Sequence, residues 1–234
     1  MTESIRLGLS APYPCNYLPD QQERVLFTLP EHPLEPHIYR LLTDHNFRRT
    51  GEQLYRPYCE QCQACIAVRL HHQDFMPSSN QRKSYQRAQR LGWHAKLQTT
   101  PTWQRYYPLY QTYIETRHAD GVMYPPQPEH LSSLLCCSWL QVHTLEQYVG
   151  DELVGVMVLD LLADGYSAVY SFFAPDSELS LGTLAILAGV ELCQRQKLPY
   201  LYLGYWVEHS KKMAYKARFR PQQRLIGQEW HSFR

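Results

Sequence analysis

Three cysteines crowd the stretch "RPYCEQCQACIAVRL", at Cys59, Cys62 and Cys65, and a fourth, Cys15, precedes them. Four thiolates are enough for tetrahedral zinc or for an iron-sulfur cluster, which makes the set a candidate structural metal centre. Packing of small apolar thiols at a turn before a strand explains the same spacing, and both readings stand. A second stretch, "YIETRHADGVMY", puts Arg117, His118 and Asp120 where a helix should end. Such an end can face a cleft with His118 as a proton acceptor, although the helix dipole alone also favours Arg and His there. A third, "YWVEHSKKMAYKARFRP", mixes Tyr205, Trp206 and Tyr215 with Lys211, Lys212, Lys216, Arg218 and Arg220. Aromatic rings stack unpaired bases while cations hold a nucleic-acid backbone; a short helix with Tyr215 and Phe219 buried reads equally well. No zinc-protease histidine spacing, "GxSxG" elbow or Walker loop occurs, so hydrolase and nucleotidase readings have no motif.

The charge is uneven along the chain. Net charge is only +1, yet Phe75 to Ile114 contains no Asp or Glu, and Lys211 to Arg224 is a second acid-free stretch. Within the first, "SSNQRKSYQRAQRL" has helical spacing, and at about 100° per residue Arg82, Lys83, Gln86, Arg87 and Arg90 share one face. Arginine forks suit phosphate oxygens without reading sequence, as gripping a folded RNA requires, although a solvated helix face has the same composition.

These residues need elements to position them. With 234 residues and 44% hydrophobic content the chain can bury one large core or two modest, tightly joined ones. The start lacks a signal-peptide run and no segment is apolar enough to span a membrane, so a soluble cytoplasmic protein is expected. Seven cysteines, one inside an apparent helix, suit a reducing compartment. Pattern predicts a strand at "RVLFTLP", a helix over "LEPHIYRLLTDHNFRRTG" closed by Gly51, and a strand at "CIAVRLHH". The basic helix, a strand at "WHAKLQT" and an aromatic helix "WQRYYPLYQTYIETRH" follow. The proline-rich Asp120–His130 segment reads as a loop between residues 1–120 and 121–234. Beyond it come three strands of an antiparallel meander, a helix starting near Leu181, a strand "YLYLGYW", a short helix and a last strand "RLIGQEW". That order resembles the acyltransferase fold called GNAT, giving an α+β expectation: a GNAT-like part behind an amino-terminal α/β part. "SELSLGT" would then be the loop whose helix start meets an anion, or simply a cap by Ser180.

Taken in order, "PCNYLPDQQER", "YRPYCEQCQACIAVRL", "SSNQRKSYQRAQR", "YIETRHADGVM" and "YWVEHSKKMAYKARFRP" resemble the aminoacyl-tRNA-protein transferases, in particular the bacterial aspartate/glutamate leucyltransferases. The resemblance runs from about Cys15 to Pro221. It implies a cytoplasmic enzyme of the N-degron pathway that moves leucine from leucyl-tRNA to proteins beginning with Asp or Glu. It also implies a GNAT-like fold that uses charged tRNA instead of acyl-coenzyme A. Eukaryotic arginyl relatives carry a paired cysteine motif near the amino terminus, whereas "CNYL" here holds one cysteine.

The reaction that the resemblance implies is aminolysis of an ester, which needs no covalent enzyme intermediate and no cofactor; any zinc or iron-sulfur cluster would be structural. His118 is the expected proton acceptor, with Tyr205 and Tyr215 at the acceptor end of the tRNA or at the leaving oxygen. Arg69, Arg117 and Arg218 are expected to bind the acidic first residue of the acceptor, since a carboxylate suits a bidentate arginine. Arg82, Lys83, Arg87, Arg90, Lys211, Lys212 and Lys216 are expected to hold tRNA. Two rivals are a GNAT acetyltransferase using acetyl-coenzyme A and a non-catalytic RNA-binding protein with structural zinc.

Overall fold

The computed structural model describes residues 5–29 and 33–234. Short strands β1 (Leu7–Leu9), β2 (Tyr13–Pro14), β3 (Gln22–Glu23) and β4 (Val25–Thr28) lead to helix α1 (Pro36–Thr43), and the chain returns as β5 (Arg48–Thr50) and β6 (Gln53–Pro57). Four of these strands form a sheet in the order β1-β4-β6-β5, while β2 pairs with β3. The helix expected to reach Gly51 therefore stops early. Asn46 takes a left-handed φ of 69°, which ends the helical turn, and Gly51 at φ 56° instead makes the β5–β6 hairpin.

Next come β7 (Ile66–His71), α2 (Ser79–Arg90), β8 (Trp93–Gln98) and α3 (Trp103–Arg117). Helix α4 (Pro128–Leu135) occupies the end of the segment expected to be loop; proline opens it where a missing N–H costs nothing, and Leu131 and Leu135 are buried. The meander follows as β9 (Val142–Val149), β10 (Glu152–Leu162) and β11 (Gly165–Phe173), then α5 (Leu181–Gln196) and β12 (Tyr200–Trp206). A single 3-10 turn spans Ala214–Arg218, and the expected last strand is a hairpin, β13 (Gln222–Ile226) and β14 (Glu229–Phe233), turning at Gly227 and Gln228, both at positive φ.

Eight strands form the main sheet in the order β14-β13-β7-β12-β11-β10-β9-β8. Strand β7 lies inside it, paired antiparallel with β12 on one side and β13 on the other. Residues 67–70 are all buried, as a strand covered on both faces requires. The expected division at 120/121 thus runs through one sheet, since β7 and β8 come from before it. Helix α5 packs one face through Leu184, Ala185, Ala188 and Leu192, among others. Tyr106, Tyr110 and Ile114 of α3 and Leu131 of α4 cover the other face against Val156, Val158 and Phe172.

An ion pair ties the small sheet to the large one. Arg49 on β5 and Asp160 on β10 are both fully buried, with Nη2 to Oδ1 at 2.7 Å and Nε to Oδ2 at 2.9 Å. Tyr39 on α1 donates its hydroxyl to the same carboxylate at 3.1 Å. Among the described residues no helix is long and apolar enough to cross a membrane.

Candidate functional site

Strands β11 and β12 run parallel but pair only over Gly165–Ser167 and Tyr200–Tyr202. Beyond that, β11 stays with β10 while β12 follows β7, with a register break between Tyr202 and Gly204. Gly204 has φ 72°, which turns β12 away from its neighbour. The parting strands leave a fork between β11 and β12. At the root Gly165 is obligatory, because a Cβ there would fall 2.1 Å from the Tyr200 carbonyl oxygen.

The end of α3 reaches the mouth of this fork. His118 Nε2 lies 3.1 Å from Tyr113 Oη, and the Tyr113 ring packs 5.0 Å from Phe173 on β11. Burial lowers the His118 pKa, the Lys212 and Arg117 charges lower it further, and Asp120 opposes them. A neutral ring at pH 7 can accept a proton. Burial pushes the Tyr113 phenol up to about 12, so it stays protonated and able to donate. Lys212 Nζ lies 3.7 Å from Asp120, and Arg117 donates to the Pro175 carbonyl in the loop before α5. The Tyr215 ring is 41% exposed while its hydroxyl end is desolvated and its pKa raised. The structure therefore brings His118, Arg117, Lys212 and Tyr215 to one place. Sequence reasoning missed Tyr113, although Tyr106, Tyr110 and Tyr113 form a legible i, i+4, i+7 stripe on α3.

Other expected site residues lie elsewhere. Arg69 is a rivet inside the sheet, its guanidinium 3.7 Å from the Tyr200 ring and 4.1 Å from Trp230, with Nε donating to Gln223 and Nη1 to Tyr202. Stacked between two rings and bonded to Gln223 and Tyr202, it links β7 to β12 and β13. Tyr205 is buried and donates its hydroxyl to the Asn46 carbonyl at 2.7 Å. Lys216, expected on an RNA-facing surface, is buried, with Nζ donating to the Tyr205 carbonyl at 2.7 Å. Lys211 and Arg218 are exposed, and the Arg218 carbonyl accepts from Gln81 of α2.

Helix α2 begins with a reciprocal cap between Ser78 and Gln81 and turns Arg82, Lys83, Arg87 and Arg90 to solvent. Tyr85 anchors it to α5, donating to Glu191 at 2.7 Å. Arg87 reaches Glu178 at 3.1 Å, in the loop that leads from β11 to α5. The cationic face therefore flanks the fork. Ser180, at the start of α5, makes no side-chain cap.

Cys15, Cys59, Cys62 and Cys65 line one cavity of about 800 Å³, together with Asn46 and Ile66. Burial, reinforced by the other cysteines and Glu23, pushes the Cys65 thiol up to about 12. Among the described residues no group of three His, Cys, Asp or Glu side chains is set to hold a metal ion. As arranged, the four cysteines do not fit a tetrahedral metal centre.

Residues 13–83 match the family model for the arginine-tRNA-protein transferase N terminus, and residues 105–226 match that for its C terminus. An aspartate/glutamate leucyltransferase of Vibrio cholerae is 40% identical over 97% of both chains. One of Marinobacter nauticus is 44% identical over 94% of this chain and 92% of its own. Among solved structures, L-PGS from Bacillus licheniformis overlaps 72% of this chain and 51% of its own at 12% identity, with a TM-score of 0.49. Matches to both halves of the family model, and relatives matched over nearly their full length, mean that the chain belongs to the arginine-tRNA-protein transferase family of aminoacyltransferases.

Proposed function

We propose that this enzyme transfers leucine from leucyl-tRNA to the α-amine of proteins that begin with Asp or Glu, marking them for degradation by the N-degron pathway in the cytoplasm. The observation that carries the reading is the 40–44% identity to aspartate/glutamate leucyltransferases over nearly the whole chain. The fork between β11 and β12, followed by α5, supports a GNAT-like donor site in which the aminoacyl end of the tRNA takes the place of an acyl-coenzyme A. The cations of α2 hold the RNA alongside.

The α-amine nitrogen attacks the ester carbonyl carbon, and the bond from that carbon to the ribose oxygen breaks. His118, neutral at pH 7, takes the proton that the amine loses. Tyr113, 3.1 Å away and kept protonated, gives its proton to the leaving ribose oxygen and is restored by His118. With an α-amine pKa near ~7.7–8.0 a modest base suffices, and holding both reactants together supplies most of the rate. The test is mass spectrometry of peptides beginning with Asp, Glu, Ala or Lys after incubation with tRNA charged with leucine or, separately, with arginine. A leucine-sized gain on the Asp and Glu peptides alone is expected. No gain with either donor overturns the reading.

A further inference from the structure

Two cations are buried without an anion behind the cysteine-lined cavity. Arg48 on β5 is 5% exposed; its Nη1 donates to the Phe47 carbonyl at 2.6 Å and the Thr43 carbonyl at 3.4 Å, while among the described residues Nε and Nη2 have no partner. Its guanidinium lies 5.6 Å from the Tyr205 ring centroid. Lys216 is 6% exposed; its Nζ meets the Tyr205 carbonyl and, at 3.7 Å, Met213 Sδ, and lies 5.9 Å from the Tyr215 ring centroid. Burial, and then the nearby Arg48 charge, push its amine down to about 7. Among the described residues no carboxylate is within ion-pair distance of either cation; Glu23, buried in the cavity lining, accepts instead from the Asn16 amide at 3.5 Å. Proteins retain buried charge when it is paired, and here Arg48 keeps two N–H donors open beside an amine that an arriving anion would hold protonated.

The cavity lies beside that pair. Asn46 and Cys65 form part of its lining; Asn46 is two residues from Arg48, and Cys65 interacts electrostatically with Lys216. Asn46 Oδ1 is also buried without a partner. Ile66, in the same lining, pairs with Trp206 at the end of β12, so the cavity opens at the end of the sheet where the fork opens. We infer that the acceptor polypeptide enters through this cavity and seats the carboxylate of its first side chain between Arg48 and Lys216, leaving its α-amine toward the fork. The pair selects Asp and Glu by charge and by Arg48's open Nε–H and Nη2–H donors. This rests on the proposed reading that acceptors begin with Asp or Glu.

The test compares peptides that differ only in the first residue, Asp against Asn and Glu against Gln. Binding without tRNA and leucine transfer are both measured, on wild type and on Arg48→Gln. Arg48→Gln should weaken the acidic peptides roughly 100-fold, leave the amide peptides and the KM for leucyl-tRNA unchanged, and bring the acid-to-amide ratio close to one. A folded Arg48→Gln that keeps the wild-type ratio overturns the assignment. Hydrogen exchange on wild type decides independently of any variant. The Asp peptide, and not its Asn counterpart, should slow exchange in residues 46–50 and 213–218, whereas protection confined to residues 117–120 overturns the assignment. Acid-selective binding with this protection but no leucine transfer would sustain the anion site and remove the proposed reaction. Leucine transfer that Arg48→Gln leaves untouched would do the reverse.

Discussion

Replacing Arg49 with Met should remove the tie between the two sheets at a calculable cost. The side chain is fully buried and makes three hydrogen bonds of 2.7–3.0 Å to Asp160, with further bonds to the carbonyls of Leu134 at 2.8 Å and Gly51 at 3.0 Å. Without it, the Asp160 carboxylate keeps the Tyr39 hydroxyl at 3.1 Å and no cation. Leaving one buried charge unpaired costs about 3–5 kcal/mol, and for a chain of this size each kcal/mol lowers Tm by about 2–4 °C. The expected loss is therefore about 6–20 °C, read by calorimetry and by urea unfolding at pH 7. Arg49→Met combined with Asp160→Leu removes both charges and should recover most of it, to within about 2 kcal/mol of wild type. Added salt should change neither value much, because buried pairs are poorly screened. A single variant that loses under about 1 kcal/mol, or a double variant as unstable as the sum of the singles, would refute the argument.

His118→Gln should lower kcat by about 100-fold or more with little change in either KM. Wild-type activity should fall as pH drops through a His118 pKa held below the ordinary 6.5, beneath the limb set by the acceptor's own amine, and that lower limb should vanish in the variant. Changing Arg82, Lys83 and Arg90 together to Gln should weaken leucyl-tRNA binding and flatten its salt dependence by about one unit of slope for each phosphate left without its cation, with the acceptor KM unchanged; an unaltered slope removes the helix from the RNA interface. Gly165→Ala should lower Tm and activity together, since its Cβ would lie 2.1 Å from a backbone oxygen that cannot yield without parting β11 from β12; an unchanged Tm contradicts that close approach.

Periodicity made the meander, the basic helix, the aromatic helix and α5 legible, because each repeats its own spacing over many residues. The short elements were not legible. Arg48–Thr50 continues a helical composition, and only the left-handed Asn46 converts it to a strand. The closing hairpin turns on Gly227 and Gln228, a pair without the usual Asn-Gly or Asp-Gly signal. Among the expected site residues, Arg117 and His118 were legible as a pair at the end of α3 because a helix end is visible in sequence. Arg69 and Lys216 were misplaced because what occupies them, Tyr200, Tyr202, Trp230 and the Tyr205 carbonyl, is gathered around them by sheet order and not by any local spacing. Arg48 went unnoticed because a buried charge without a partner is a property of packing and has no local pattern.

The position of β7 sets when this protein can fold. Its Arg69 bonds to residues 133 and 154 positions later, and its two strand partners, β12 and β13, lie as far along the chain. Both edges of β7 must therefore wait, unpaired, until β12 and β13 have been translated. Contacts of this separation carry a large loop-closure cost and slow the search for the native sheet. The amino-terminal segment cannot complete as a unit ahead of the rest; refolding should be a single slow event, and a chain interrupted before β12 should expose an apolar strand that invites aggregation.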